Sequence, residues 1–379
     1  MNKQILAYQN RPTRAIIDLA NLRNNYKIVK TFIGDEVKVM GIIKANAYGH
    51  GMLTIAKSLI KLGVNYFGVA FLEEGIFLRN NGIDIPILVM GGINIEQIPE
   101  FIKYDIDITT SSLDKTTAIS QTAVSLGKKA KVHLKIDTGM ERLGVHWYNS
   151  EKFIEETYNS ENIIVEGIFT HFAKLDNDKK FTEKQIKRFD KILNLMERNF
   201  LPVKYIHAAN SAGIIDFPDS HYNMVRPGLM LYGYSDLPQD FKEELKPVMS
   251  LLTKVSYFKV ISQSVGVSYN HTYTSDQQTR IVTLPIGYGD GYNRLLSNKG
   301  EVIIRGKKYP VVGNVCMDQM MVDVGANGEA FNGDDVLLFG KDENDQLRLE
   351  ELCDKIGTIP YEVLTMISSR VPRVVVNKM

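Results

Sequence analysis

V-M-G-I-I-K-A-N-A-Y-G-H-G, residues 39–51, is the stretch on which the fold turns. It begins as an apolar run of the kind that forms a buried parallel strand. It puts Lys44 where that strand should end. A polar loop with glycines, 46–51, follows, and then a helical pattern. A lysine at the C-terminal end of an inner strand points into the mouth of a barrel or sheet, where desolvation lowers its pKa and frees the amine. A free amine in a cleft is what Schiff-base chemistry requires. Tyr48, one turn further on, is placed to reach the same cleft. The competing reading is a lysine whose stem covers apolar surface while its ammonium stays in water.

Outward from this stretch, strand-like and helix-like segments alternate. Residues 15–19 are extended, and Leu22, Tyr26, Val29 and Phe32 recur at helical spacing. Strands are predicted at 38–44, 66–71, 87–91, 107–110, 132–137, 165–171, 204–207 and 223–226, with helices between them. Gly63, Gly82 and Gly127 fall where helices close. Eight strands alternating with helices predict an α/β fold, a (β/α)8 barrel over residues 12–238. From 239 to 379 extended segments follow one another: 251–261, 280–285, 301–312, 320–324 and 336–340, with R-G-K-K at 305–308 as a hairpin turn. Helices are expected at 349–355 and 361–370. This predicts a mostly β C-terminal domain, to which residues 1–11 could belong.

The bulk properties narrow the function. The chain has 379 residues, 44% hydrophobic and 23% charged, with a net charge of +1. That is an ordinary two-domain composition, with no electrostatic case for nucleic acid or a membrane surface. No run is long enough to span a bilayer, and the N-terminus does not read as a signal peptide. A cytoplasmic enzyme is expected. Cys316 and Cys353 make no disulfide framework. His171, His207 and His221 lack metal-ligand spacing, so no metal is expected.

Catalytic groups of such barrels sit at the C-terminal ends of the strands. Lys44, Lys135, Asp137, His171, His207 and Arg226 fall there, with Arg142, Asn210 and Ser211 just beyond. Each alone could be a hydrogen-bonded structural residue; five strand ends carrying polar groups argue for a site. A phosphate needs backbone N–H groups, hydroxyls or a helix N-terminus. Ser211-Ala212-Gly213 and Gly228-Leu229 supply these after the last two strands, although Ser211 also reads as a helix N-cap.

K-A-N-A-Y-G-H-G at 44–51 closely resembles the cofactor-lysine motif of alanine racemase, a pyridoxal-phosphate (PLP) enzyme, and the resemblance runs from Arg11-Pro12-Thr13 to Arg373. It implies that Lys44 forms the internal aldimine and that Tyr48, Ser211, Gly228, Leu229 and Tyr361 surround the phosphate. His171 would pack on the pyridine ring, Arg226 would face the pyridine nitrogen, and Arg142 would meet the phenolic oxygen and hold substrate. Lys135 matches a lysine carbamylated in some relatives, a change that would give it a negative charge to pair with Arg142. V-S-Y at 267–269 matches the motif of a catalytic tyrosine, Tyr269. G-Y-G-D-G-Y at 287–292 and C-M-D-Q at 316–319 would place Tyr288, Met317 and Asp318 by the substrate. Glu141, where relatives commonly have glycine, and Asn270-His271 depart from the pattern.

The resemblance implies interconversion of L- and D-alanine by two bases, Lys44 for the D-enantiomer and Tyr269 for the L-enantiomer, with PLP as electron sink. An arginine at the ring nitrogen stays charged and only donates, which disfavours transamination. D-alanine for peptidoglycan is the implied product, and a homodimer with shared sites the implied assembly. A broader amino-acid racemase and a PLP decarboxylase on the same scaffold are alternatives, the second expected to carry a carboxylate in place of Arg226. A non-catalytic PLP-binding barrel should lack the domain bearing Tyr269.

Overall fold

The computed structural model describes residues 10–173, 178–235, 244–342 and 345–378. They divide into two compact units: Arg23–Ala47 with Met52–Lys246, and the described residues up to Leu22 with Tyr48–Gly51 and the chain from Pro247 onward. The predicted boundary lay at 238/239. The structure assigns the first strand, β1 (Arg14–Asp18), and the short segment Tyr48–Gly51 to the β-rich unit.

The first unit is built on β2 (Lys38–Ile42), β3 (Tyr66–Val69), β4 (Ile87–Val89), β5 (Asp107–Thr110), β6 (Ala130–Asp137), β7 (Val145–His146), β8 (Ile163–Phe169), β9 (Tyr205–His207) and β10 (Met224–Val225). The sheet order is β10-β2-β3-β4-β5-β6-β8-β9, every pairing parallel, with β7 a two-residue annex on β6. All eight strands lie where the sequence puts them, within two residues at each end. β9 and β10 close the barrel without a ladder of their own. The Arg226 amide donates to Ala209 O at 2.9 Å. The Asn223 side chain accepts from Ile206 N (2.7 Å) and donates to Lys204 O (3.0 Å).

Strand alternation sorts the chemistry. In β6, Val132, Leu134 and Ile136 take one face, and His133, Lys135 and Asp137 the other. Leu134 and Ile136 pack with Phe153, Ile154 and Phe189 from the helices Ser150–Tyr158 and Lys179–Arg198. Apolar side chains thus face the helices, and polar ones fill the barrel.

The second unit is a mixed sheet. Its strands are β1, β11 (Met249–Lys254), β12 (Tyr257–Ile261), β15 (Thr279–Leu284), β16 (Glu301–Ile304), β17 (Lys307–Val312), β18 (Met320–Gly325), β19 (Asp335–Asp342), β20 (Asp345–Leu347) and β21 (Arg373–Val376); β13 (Gly266–Val267) and β14 (Tyr273–Thr274) form a separate ribbon. β1 pairs antiparallel with β11 and parallel with β21. The predicted strand 251–261 is two strands, because Val255 and Ser256 bond out of register to Asp334 O and Thr283 O. The turn at 305–308 does join β16 to β17.

Asn223→Ala removes both side-chain bridges across the β9/β10 seam. A loss of about 1–2 kcal/mol is expected for two partly solvated hydrogen bonds, seen as a lower urea midpoint at unchanged slope.

Candidate active site

Lys44 lies two residues past the end of β2, and the backbone after it winds the wrong way for L-residues. Ala45, Asn46, Ala47 and Tyr48 have φ of 51°, 55°, 54° and 51°. Left-handed winding costs roughly 1–2 kcal/mol per non-glycine residue, and such strain gathers at functional sites. The sequence read this segment as a loop with Tyr48 one ordinary turn on; the structure corrects this to a left-handed turn. It is held by Ala47 N donating to Ile43 O (2.8 Å), Met52 N to Asn46 Oδ1 (2.8 Å) and Ala45 N to Glu74 Oε1 (2.6 Å). Lys44 is exposed in the mouth, yet the surrounding walls desolvate its ammonium and lower its pKa, with Arg142 adding to the effect and Glu74 opposing it.

Arg226, just past β10, is almost wholly buried. Its Nη2 shares its two N–H groups among Thr170 O (2.7 Å), Ala208 O (2.9 Å) and, at longer range, His171 Nδ1 (3.3 Å), and its Nη1 donates to His207 Nδ1 (3.0 Å). A guanidinium cannot accept. Both imidazoles therefore present a bare Nδ1 and are neutral. Burial, reinforced by Arg226, pushes His171 and His207 well below the usual histidine range. The Nε donor of Arg226 is buried and meets no acceptor among the described residues.

Lys135 is 5% exposed, with Nζ 3.3 Å from Ile136 O and 4.9 Å above the Phe169 ring. Burial, then Arg226, pushes its pKa down to about 7. The Asp137 carboxylate opposes this shift. Asp137, named with it from the sequence, is engaged elsewhere: it accepts from Gly139 N (2.7 Å), Met140 N (2.9 Å) and Arg142 N (3.3 Å), so it shapes the loop that carries Arg142.

Ser211 opens the helix Ser211–Asp216, but the cap is Asn210, whose Oδ1 accepts from Gly213 N at 3.1 Å. The Ser211 hydroxyl instead receives Gly228 N (3.0 Å) and Met230 N (3.2 Å). A hydroxyl and two amides thus converge at the loops after β9 and β10, where Leu229 begins a short 3-10 turn.

In the β-rich unit, the Tyr48 and Tyr361 rings lie 5.8 Å apart. Gly49 is pinned there: a Cβ on it would meet Leu364 O of the helix Pro360–Met366 at 2.2 Å, and Arg373 Nε donates to its carbonyl at 2.8 Å. Tyr269 rides on the loop between β13 and β14 and is 71% exposed. Ser268, Asn270 and His271 around it have φ of 65°, 62° and 46°. Asn314 fastens the loop, donating to Tyr269 O (2.7 Å) and accepting on its carbonyl from Ser268 Oγ (2.7 Å). Tyr269, Met317 and Asp318 line a groove of about 810 Å³. Asp318 is ion-paired to Arg370 at 2.7 Å. Tyr288 stands beside the groove lining, its amide on Cys316 O at 3.0 Å.

The alanine racemase N-terminal domain model matches residues 17–236, and the C-terminal domain model matches 248–375. The chain belongs to the alanine racemase family. It is 42% identical over 371 residues to alanine racemase 2 of Caldanaerobacter subterraneus subsp. tengcongensis, covering 97% of this chain and 96% of the relative. Among solved structures it resembles the alanine racemase of Clostridium difficile 630, at a TM-score of 0.91, 42% identity and 96% coverage of both chains. It also resembles that of Bacillus anthracis with bound L-Ala-P, at a TM-score of 0.91, 33% identity and coverage of 97% and 96%. The family is one of isomerases, and alanine racemase activity follows from this membership.

The departures from the family motif gain a physical reading. Glu141 has φ 54°, the region that favours glycine, and its carboxylate meets His146 Nε2 at 2.8 Å. Asn270 also lies in that region, which asparagine tolerates better than most residues. Sequence reasoning missed Glu74, which holds the Ala45 amide, and a buried cluster in which the Tyr66 hydroxyl meets both the Asp107 carboxylate and His133 Nε2. The signal for His133 was present: His133, Lys135 and Asp137 alternate along one buried strand.

Because the folded protein lowers the Lys135 pKa, the unfolded chain binds one more proton between about pH 7 and the ordinary lysine range. This residue should make stability rise with pH across that window. In carbonate-free buffer, the wild type minus Lys135→Met stability difference should climb from pH 7 to 10; a flat difference would mean the amine is not desolvated.

Proposed function

We propose that this family member works with PLP, that Lys44 and Tyr269 are its two bases, and that two copies share each site. The observation that carries the reading is the buried Arg226 Nε–H, a donor with no acceptor among the described residues. A buried unsatisfied donor costs about 1–3 kcal/mol, so its persistence argues for an acceptor from outside the chain. An unprotonated pyridine nitrogen is such an acceptor.

The other residues fit the same group. Ser211, Gly228 and Leu229 would hold its phosphate, and the family resemblance adds Tyr48 and Tyr361 to that role. His171, neutral and beside Arg226, would face the ring. Lys44, with its lowered pKa, would bond the cofactor carbonyl. When bound, PLP draws electron density from the substrate Cα and makes the α-proton removable. Arg226 would donate to the ring nitrogen without protonating it, which would limit that withdrawal and favour proton return at Cα over transamination.

Lys44 Nζ would take or return the α-proton on one face, serving D-alanine, and the Tyr269 oxygen on the other, serving L-alanine. Arg142 would hold the substrate and the cofactor phenolic oxygen. Lys135, whose lowered pKa frees a large share of its amine near pH 7, is poised to add CO2 to that amine with release of a proton; the resulting carbamate would pair with Arg142. Tyr288, Met317 and Asp318 would flank the substrate path. An exposed tyrosine on a fastened loop above a groove suits a surface completed by a second copy, whose barrel would supply Lys44. D-alanine made this way suits peptidoglycan precursors.

Lys44→Ala should abolish the red-shifted absorbance that PLP acquires on bonding the enzyme amine, leaving only that of the free aldehyde, and abolish all turnover. Tyr269→Phe should retain the absorbance and lose racemisation while still exchanging the α-proton of D-alanine with deuterated solvent; exchange of both enantiomers at wild-type rates would end the two-base assignment.

Mixing Lys44→Ala with Tyr269→Phe tests the shared site. By twofold symmetry about a quarter of the sites should regain both bases after random subunit exchange. With exchange shown independently by labelled subunits, failure to recover activity would sink the dimer model.

A further inference from the structure

Behind Arg226 lies a chain of polar side chains that no step above uses. Arg226 Nη1 donates to His207 Nδ1 at 3.0 Å, and His207 Nε2 lies 2.9 Å from His133 Nδ1. His133 Nε2 lies 3.0 Å from the Tyr66 hydroxyl, which also bonds the Asp107 carboxylate. His133, His207 and Asp107 are buried, at 0%, 0% and 3% exposure, and Tyr66 at 0%. Asp107 and Tyr66 begin β5 and β3, whereas Arg226 follows the end of β10. In a parallel barrel these are opposite ends, so the chain runs from mouth to floor.

The ends fix its direction. Arginine only donates, and an ionised carboxylate only accepts. One arrangement then satisfies every link: His207 carries its proton on Nε2 and donates to His133, His133 carries its proton on Nε2 and donates to Tyr66, and Tyr66 donates to Asp107. Both rings are neutral and locked in one tautomer.

The surroundings are shaped for it. A Cβ at residue 167 would come within 2.3 Å of His133 Nδ1, so Gly167 leaves the gap that the ring fills. His207 stacks on Phe169 at 4.8 Å with planes 5° apart, and Tyr205 stacks on His133 and meets Tyr66 edge-on.

We propose that Tyr66 and Asp107 are positioning residues: through His133 and His207 they lock the Arg226 guanidinium in orientation, the Asp107 carboxylate being the ionised acceptor that fixes which way every proton in the chain points. The aim of Arg226 Nε is set from below. Asp107 therefore governs the mouth without touching anything bound there. Its effect on the reaction rests on the proposed cofactor reading; the chain itself does not.

Two variants separate hydrogen bond from charge. Tyr66→Phe deletes the link, and Asp107→Asn keeps an acceptor while removing the charge. Nitrogen-15 shifts of the imidazoles in the cofactor-free protein should show both His133 and His207 protonated on Nε2. In Tyr66→Phe, His133 should redistribute its proton between the two nitrogens. In the PLP-loaded enzyme, both variants should lower kcat roughly tenfold, as outer partners of a site commonly do, leave KM for alanine nearly unchanged and raise the share of turnovers ending in transamination. Should Tyr66→Phe fail to fold, the Asp107→Asn partition and its imidazole shifts decide. Unaltered tautomers in Tyr66→Phe, or unaltered kcat and partition in Asp107→Asn, would overturn the proposal. A protein that never racemises but shows the expected tautomers would refute the cofactor reading and leave the chain standing.

Discussion

A guanidinium gives hydrogen bonds and takes none, and that one-way property of Arg226 orders the polar interior of the barrel. Five donors enter an apolar cavity where unpaired polar groups are expensive. Three of them, two on Nη2 and one on Nη1, serve four contacts to carbonyls and imidazoles that must then offer lone pairs. The protonation states of two histidines follow without further assumption. The buried Nε–H meets no acceptor among the described residues.

Strain appears at the two places where side chains are displayed. The turn after Lys44 and the loop around Tyr269 both hold non-glycine residues at positive φ. Each is fastened by side-chain hydrogen bonds from neighbours with no reacting role: Glu74 and Asn46 in one, Asn314 and Ser268 in the other. The cost of left-handed backbone is met by amide capture rather than by glycine, so the display points are stiff.

Much of this was legible beforehand, for definable reasons. The barrel strands are short apolar runs between glycine-closed helices, and period and punctuation locate them. Lys44, Arg226 and Tyr269 were found through motif strings; position alone left the lysine ambiguous, and an isolated tyrosine in a β domain is usually a packing residue. The left-handed turn was not legible, because K-A-N-A-Y contains no residue that demands positive φ; tertiary hydrogen bonds impose it. The membership of β1 in the β-rich sheet was hidden as well, since the pairing of 14–18 with 249–254 and 373–376 is long-range. Tyr66 and Asp107 carried no local signal, each opening an ordinary strand.

Tyr48–Gly51 belongs to the β-rich unit although the chain on either side belongs to the barrel. Four residues of one body are thus stitched into the sequence of the other, beginning four positions after the lysine. No single cut in the chain separates the two units. A fragment ending before Pro247 would keep the Gly49 turn and lose the Leu364 carbonyl and Arg373 side chain against which it is folded. The halves are therefore not interchangeable modules: recombination between relatives at the apparent domain boundary would pair one parent's lysine loop with the other parent's supporting helix, and descent should keep the two together.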